Sequence, residues 1–217
     1  MLIDLHTHTI PGSEDSVMRP SELVKQAKKK GLDGICITDH DWFWKTEAIE
    51  ELKWGYGFLV IPGTEISTEE AHLLVFGLER YVFGMHHARV VRELLDEVGG
   101  IMIVAHPYRR EFPWEDPDYS GFYRGLKRAC ERPIYEMADA IEVLNGRGTE
   151  KENTFSLEVL ERLNLKGVAG SDSHELSDVG TCATEFERDI RNVHDLINEI
   201  KEGRFRALNL RTGHYIP

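Results

Sequence analysis

Asp4-Leu5-His6-Thr7-His8, directly after the apolar Met1-Leu2-Ile3, decides how this chain is read. The apolar run has the length of one short buried strand. Side chains alternate along a strand, so His6 and His8 share a face. Two imidazoles pointing the same way from a strand end can grip one metal ion, because neutral imidazole is the commonest protein ligand for such ions.

The same arrangement returns downstream. Leu32-Asp33-Gly34-Ile35-Cys36-Ile37 runs into Thr38-Asp39-His40-Asp41, and Phe58-Leu59-Val60-Ile61-Pro62 runs into Gly63-Thr64-Glu65. Ile101-Met102-Ile103-Val104-Ala105 ends on His106-Pro107, and Lys166-Gly167-Val168-Ala169 delivers Gly170-Ser171-Asp172-Ser173-His174. Further strands are expected at 71–77, as a hairpin partner of the Glu65 segment, and at 139–144, 181–186 and 204–210. Helices are expected at 21–30, 45–53, 86–98, 123–137, 149–163 and 189–202, several closed by glycine. Strand followed by helix, repeated six or seven times, implies a parallel sheet, closed as a small barrel or left open. His6, His8, His40, Glu65, His106, Asp172 and His174 all lie just beyond the carboxyl end of an apolar strand, the place where barrel enzymes assemble their sites.

Neighbouring residues on a regular strand face opposite ways, so Asp39 and His40 cannot both reach one centre. His40 is the expected ligand, and Asp39 is expected to orient an imidazole from behind. The candidate ligands are His, Asp and Glu without thiolate, a donor set that suits Zn, Mn or Fe. They outnumber the needs of one ion, so two or three divalent ions are expected, with Glu65 free to bridge.

The 217 residues, 41% hydrophobic and 29% charged, are expected to form one α/β domain over 1–217. No apolar run approaches the ~20 residues of a membrane span, and the N-terminus lacks the regions of a signal peptide, so a cytoplasmic location is expected. Cys36, Cys130 and Cys182 are odd in number and widely spaced, and read as reduced. A formal charge of −12 argues against binding long nucleic acid, whose affinity comes from Lys and Arg on phosphates. An anionic substrate would then be drawn in by bound cations.

Asp4-Leu5-His6-Thr7-His8, Thr38-Asp39-His40, Gly63-Thr64-Glu65, Ala105-His106-Pro107 and Gly170-Ser171-Asp172-Ser173-His174, in this order, resemble the motifs of the PHP family, the polymerase and histidinol phosphatase superfamily. The resemblance implies a distorted, TIM-like (β/α)7 barrel, a trinuclear metal site and hydrolysis of phosphoester bonds. It also implies one ion held by His6, His8, Glu65 and Asp172, a second by Glu65, His72 and His106, and a third by Asp15, His40 and His174. The family's usual Ser-Asp-Gly is replaced here by Gly12-Ser13-Glu14-Asp15-Ser16. Asp15 keeps the usual distance to Pro20 and is preferred over Glu14.

Paired metals acidify a bound water and neutralise the leaving oxygen, so no protein nucleophile is needed. Arg109, Arg110 and Arg147 are candidates to clamp a phosphate, Arg109 foremost. The expected activity is metal-dependent hydrolysis of a small phosphomonoester or nucleotide. The rival within the enzymes is an exonuclease on short oligonucleotides, with Trp42, Phe43, Trp44 or the aromatics of 108–123 stacking bases. An amidohydrolase-type metal hydrolase or a non-catalytic metal-binding protein would also carry ligands of this kind. His86, His87, His194 and His214 are expected at the surface.

Overall fold

The computed structural model describes residues 1–109, 111 and 120–216. The chain opens with β1 (Leu2–Asp4), α1 (Pro20–Lys29), β2 (Gly34–Ile37), α2 (Thr46–Tyr56) and β3 (Leu59–Pro62). There follow β4 (Thr64–Ser67), β5 (His72–Phe76), α3 (Ala88–Val98), β6 (Ile101–Val104), α4 (Ser120–Cys130) and α5 (Ile134–Met137). The remainder is β7 (Ala140–Asn145), α6 (Glu150–Leu163), β8 (Gly167–Gly170), β9 (Cys182–Phe186), α7 (Val193–Glu202), β10 (Phe205–Asn209) and β11 (His214–Ile216).

The strands form two mixed sheets, one of six strands ordered β11-β10-β9-β1-β2-β3 and one of five ordered β4-β5-β6-β7-β8. β1, β2 and β3 are parallel, whereas β9 runs antiparallel to β1. β5 is antiparallel to both its neighbours, and β6, β7 and β8 are parallel. The expected parallel barrel is therefore corrected: no continuous ladder closes among the described residues. The short turn between β4 and β5 can join only antiparallel strands. At Gly63 the chain passes from β3 to β4 so close to Phe76 that a Cβ would meet its ring at 2.6 Å. β3 stays with β2 while β4 joins β5. Single parallel bridges, Thr7 to Ser173 and His40 to Glu65, link the sheets just beyond the strands that carry the candidate ligands.

Ile3, Cys36, Ile61, Phe76 and Ile103 from both sheets pack into one buried cluster. Leu95 of α3, Leu126 of α4 and Phe155 of α6 cover the five-stranded sheet, and Leu23 of α1 and Ile49 of α2 cover the other. Helix ends follow local chemistry. Pro20 opens α1, Thr149 and Glu152 form a capping box on α6, and Gly99 ends α3 in the left-handed region at φ 72°. The single helix expected over 123–137 is two, because Pro133 supplies no N–H and restricts Arg132 before it. β11 was not expected; three largely exposed residues carry too little pattern to read. The cysteines are free, with Cys36 and Cys182 buried. No helix among the described residues is long and apolar enough to cross a membrane.

Candidate metal centre

Beyond Asp4, the segment Leu5 to Thr9 stays extended and fully buried. It is threaded between two neighbours: His8 N donates to the Ser173 carbonyl at 2.9 Å, Asp172 N to the His6 carbonyl at 2.8 Å, and Thr38 N to the Thr7 carbonyl at 2.9 Å. Extended backbone preserves the alternation, so His6 and His8 point the same way. His6 Nε2 lies 3.3 Å from Glu65 Oε2 and 3.5 Å from Asp172 Oδ1. His8 Nε2 lies 3.2 Å and 3.3 Å from the same two oxygens.

Glu65 is fully buried at the centre. Its Oε2 also meets His40 Nδ1 at 3.0 Å, while its Oε1 meets His106 Nε2 at 2.8 Å and His72 Nδ1 at 2.9 Å. On the open side, Asp15 Oδ2 stands 3.0 Å from His174 Nε2 and 3.3 Å from His40 Nε2. Eight of the nine residues singled out as ligands thus fall into groups able to hold an ion, and Asp15, itself 56% exposed, meets them through His40 and His174. His106 and Asp172 adopt left-handed backbones, φ 30° and 53°. Such strain in non-glycine residues costs about 1–3 kcal/mol each and concentrates at functional sites.

Five buried atoms here have no hydrogen-bond partner among the described residues: His6 Nε2, His8 Nε2, His40 Nδ1, Glu65 Oε2 and Asp172 Oδ1. Buried polar atoms left unpaired cost about 1–3 kcal/mol each. The four His–carboxylate separations around His6, His8, Glu65 and Asp172, 3.2–3.5 Å, match the edges of about 3.3–3.5 Å in a tetrahedron of donors around zinc. These residues fit a divalent ion.

Burial works against ionising Glu65 and Asp172, yet the surrounding imidazoles, His6 foremost, outweigh it and hold both carboxyls well below the usual range. Burial alone would lower His6, but Asp172, Glu142 and Glu65 carry it well above its usual value. His40 is likewise raised, because Glu65 and Asp15 outweigh its burial. His106 and His174 are lowered, chiefly by burial.

Asp39 reaches an imidazole only indirectly. Its carboxylate accepts from Thr9, Ser13 and Trp44, and Ser13 Oγ lies 3.0 Å from His8 Nδ1. Trp44 is therefore occupied with Asp39 and Phe43 packs on the core, while Trp42 is 42% exposed with its ring edge-on to Trp44 at 6.4 Å. Arg109 Nη2 is 2.7 Å from Asp172 Oδ2. Arg147 Nη1 is 2.8 Å from His174 Nδ1, which is also 2.8 Å from the Asp172 carbonyl. Arg110 and residues 112–119 of the aromatic stretch lie outside the described residues. A cavity of about 350 Å³ beside the site is lined by residues including His72, His106, Arg109, Glu111 and Tyr135. His87, His194 and His214 are exposed as expected, and His86 is half-buried.

Glu142 lies inside β7, buried, and not beyond a strand end as the candidate ligands do. Its Oε1 lies 2.9 Å from His6 Nδ1, and its Oε2 accepts from His106 N at 2.9 Å and Asn145 Nδ2 at 3.0 Å. A carboxylate in the buried run Ala140-Ile141-Glu142-Val143-Leu144 was a visible signal, since buried charges need partners.

Convergence of these His, Asp and Glu side chains at the strand ends gives an α/β protein with several overlapping groups able to hold a metal ion. A PHP domain model matches residues 4–129 and a PHP-associated model matches residues 150–205. This chain belongs to the PHP family. An uncharacterized protein of Methanocaldococcus jannaschii is 33% identical over 118 residues, 50% of this chain and 68% of its own. A Caldanaerobacter subterraneus protein named as a probable phosphatase is 25% identical over 223 residues, 90% of this chain and 84% of its own. Among solved structures, a two-domain Bacteroides vulgatus protein containing a predicted PHP-like metal-dependent phosphoesterase matches with TM-score 0.66 at 18% identity. The match covers 96% of this chain and 64% of that one. Histidinol phosphate phosphatase of Lactococcus lactis, complexed with zinc, L-histidinol and phosphate, matches with TM-score 0.52 at 17% identity, over 96% of this chain and 97% of that one. At these identities the structural likeness speaks for the fold.

Proposed function

We propose that this chain is a metal-dependent phosphoesterase acting on a small phosphomonoester or a nucleotide, and that its two bridged sheets are a distorted seven-stranded barrel opened at two seams. The observation that carries the reading is the set of four unpaired donor atoms on His6, His8, Glu65 and Asp172, whose His–carboxylate separations suit one ion. Glu65, His72 and His106 would hold a second ion, and Asp15, His40 and His174 a third. When bound, such ions act as Lewis acids toward phosphoryl oxygen, activate water near neutral pH and neutralise charge on the leaving oxygen.

The chain's own residues supply the rest. Glu65 offers one oxygen to each of two ligand groups and so fixes their spacing. Asp39 holds Ser13, and Ser13 holds the His8 ring. Arg109 engages Asp172 through one nitrogen while its side chain is 39% exposed, so its guanidinium is placed to grip a phosphate oxygen beside the cavity. For His174 to ligate through Nε2, its proton must sit on Nδ1, where the Asp172 carbonyl accepts it. That proton excludes the Arg147 contact, which frees Arg147 for the substrate. The relative named as a phosphatase and the family membership favour the same chemistry.

The test is phosphate and nucleotide release from a panel of monoesters, mononucleotides and short oligonucleotides, with manganese or zinc and with chelator. Turnover that chelator, Asp172→Asn and His8→Ala each abolish supports the proposal. Turnover of oligonucleotides alone would favour the exonuclease reading, with Trp42 as its stacking platform. No turnover by fully metal-loaded protein would overturn both.

A further inference from the structure

We infer that Glu142 is a positioning residue that fixes the proton of His6 on Nδ1 and, together with Asn145, locks His6, His106 and Asp172 into one rigid frame. The inference rests on the proposed role of His6 as a ligand. Glu142 is 1% exposed and sits where the β7–β8 register shifts between Glu142 and Leu144, an irregularity that re-aims side chains. Both of its oxygens face nitrogens: Oε1 lies against His6 Nδ1, and Oε2 accepts from His106 N and Asn145 Nδ2. Oε2 already accepts two N–H groups, which leaves Oε1 to accept from His6 Nδ1; with that proton held in place, the proton an incoming ion displaces is the one on Nε2, beside Glu65 and Asp172.

Asn145 extends the frame. Its Oδ1 accepts from Arg147 N at 2.9 Å and Gly148 N at 3.1 Å, which fixes the amide orientation. Its Nδ2 therefore faces Glu142 Oε2 and also donates to Asp172 Oδ2 at 3.1 Å. Three candidate ligands from three separate segments are thus tied to one buried carboxylate. Gly170 leaves the room this needs: a Cβ there would come within 2.5 Å of His6 Cβ and 3.0 Å of Glu142 Oε1.

Glu142→Gln has nearly the same shape but cannot reproduce this pattern. If its NH₂ replaces Oε2, it faces two donors, His106 N and Asn145 Nδ2. If its NH₂ replaces Oε1, His6 Nδ1 must accept, and its proton moves to Nε2, onto the atom meant for the ion. Supporting groups of this kind typically contribute roughly 10–100-fold in metal affinity.

The experiment uses the full chain with zinc alone as probe. Zinc affinity is measured by chelator competition for wild type and Glu142→Gln, and the tautomer of His6 is read from ring ¹⁵N shifts of histidine-labelled, zinc-loaded wild type. The expected results are a proton on His6 Nδ1 in wild type and a roughly 10–100-fold loss of affinity in the folded variant. A purely structural role would lower the melting temperature and leave the affinity of the folded fraction alone. Equal affinities, or a bare Nδ1 in wild type, overturn the inference while the ligand reading of His6 stands. The wild-type tautomer decides if the variant does not fold. A wild type that binds no zinc overturns both.

Discussion

Saturating the site with a divalent ion should raise the melting temperature by an amount that can be worked out. The four donors of His6, His8, Glu65 and Asp172 are buried and unpaired, a penalty of about 4–12 kcal/mol at about 1–3 kcal/mol each. Relief of that penalty appears as affinity, and mass action converts affinity into stability. At an ion concentration 100 times Kd the gain is about 2.7 kcal/mol. A chain of 217 residues shifts by about 2–4 °C per kcal/mol, so about 5–11 °C is expected. His8→Ala removes one donor of four. If binding weakens about 100-fold, the same ion concentration only equals the new Kd, the gain falls to about 0.4 kcal/mol, and the shift falls to about 1–2 °C. Scanning calorimetry of both proteins with zinc or manganese and with chelator measures these differences. A wild type that does not shift, or a His8→Ala variant that shifts equally, would show that these four atoms do not bind the ion together.

Three further outcomes follow from particular contacts. Because the carboxylates hold His6 charged well above its usual pKa, an incoming ion must expel that proton. Raising the pH removes it in advance, so apparent metal affinity rises with pH until the raised pKa is passed; calorimetry at pH ~7 in buffers of different ionisation heat should report proton release, and a buffer-independent heat contradicts it. Arg109→Ala removes the proposed phosphate contact, a charged hydrogen bond of about 1.5–3 kcal/mol, and should cut kcat/KM roughly 10–100-fold with metal content unchanged; parallel loss of metal would make Arg109 a support of Asp172 only. Phe155→Ala, fully buried and edge-on to Phe122 at 5.3 Å, should cost about 3–5 kcal/mol in urea unfolding, with the metal stoichiometry of the folded protein intact.

The candidate ligands were legible because each follows an apolar run, and burial of that run forces the next side chains to one end of a sheet. His6, His40, Glu65, His106 and Asp172 needed nothing more than this pattern. Glu142 was harder, because it lies inside its strand and its three partners come from segments distant in sequence. The role of Asp39 was half legible: the residue was found, but its link to His8 through Ser13 depends on how the 9–13 loop folds back. Helix and strand positions were readable from periodicity and from Gly and Pro punctuation, although the break at Pro133 was passed over. Closure of the sheets was not readable. It depends on the bend at Gly63 and on two single bridges, features of register that periodicity does not encode.

His6, His8, Glu65 and Asp172 are proposed to hold one ion together. Anomalous diffraction at the zinc edge, from crystals grown with zinc, tests it most directly. A peak is expected about 2.0–2.2 Å from His6 Nε2, His8 Nε2, Glu65 Oε2 and Asp172 Oδ1 together. A peak that touches fewer than three of these atoms, or zinc found only at the surface group of Glu69, His86 and His87, would contradict it.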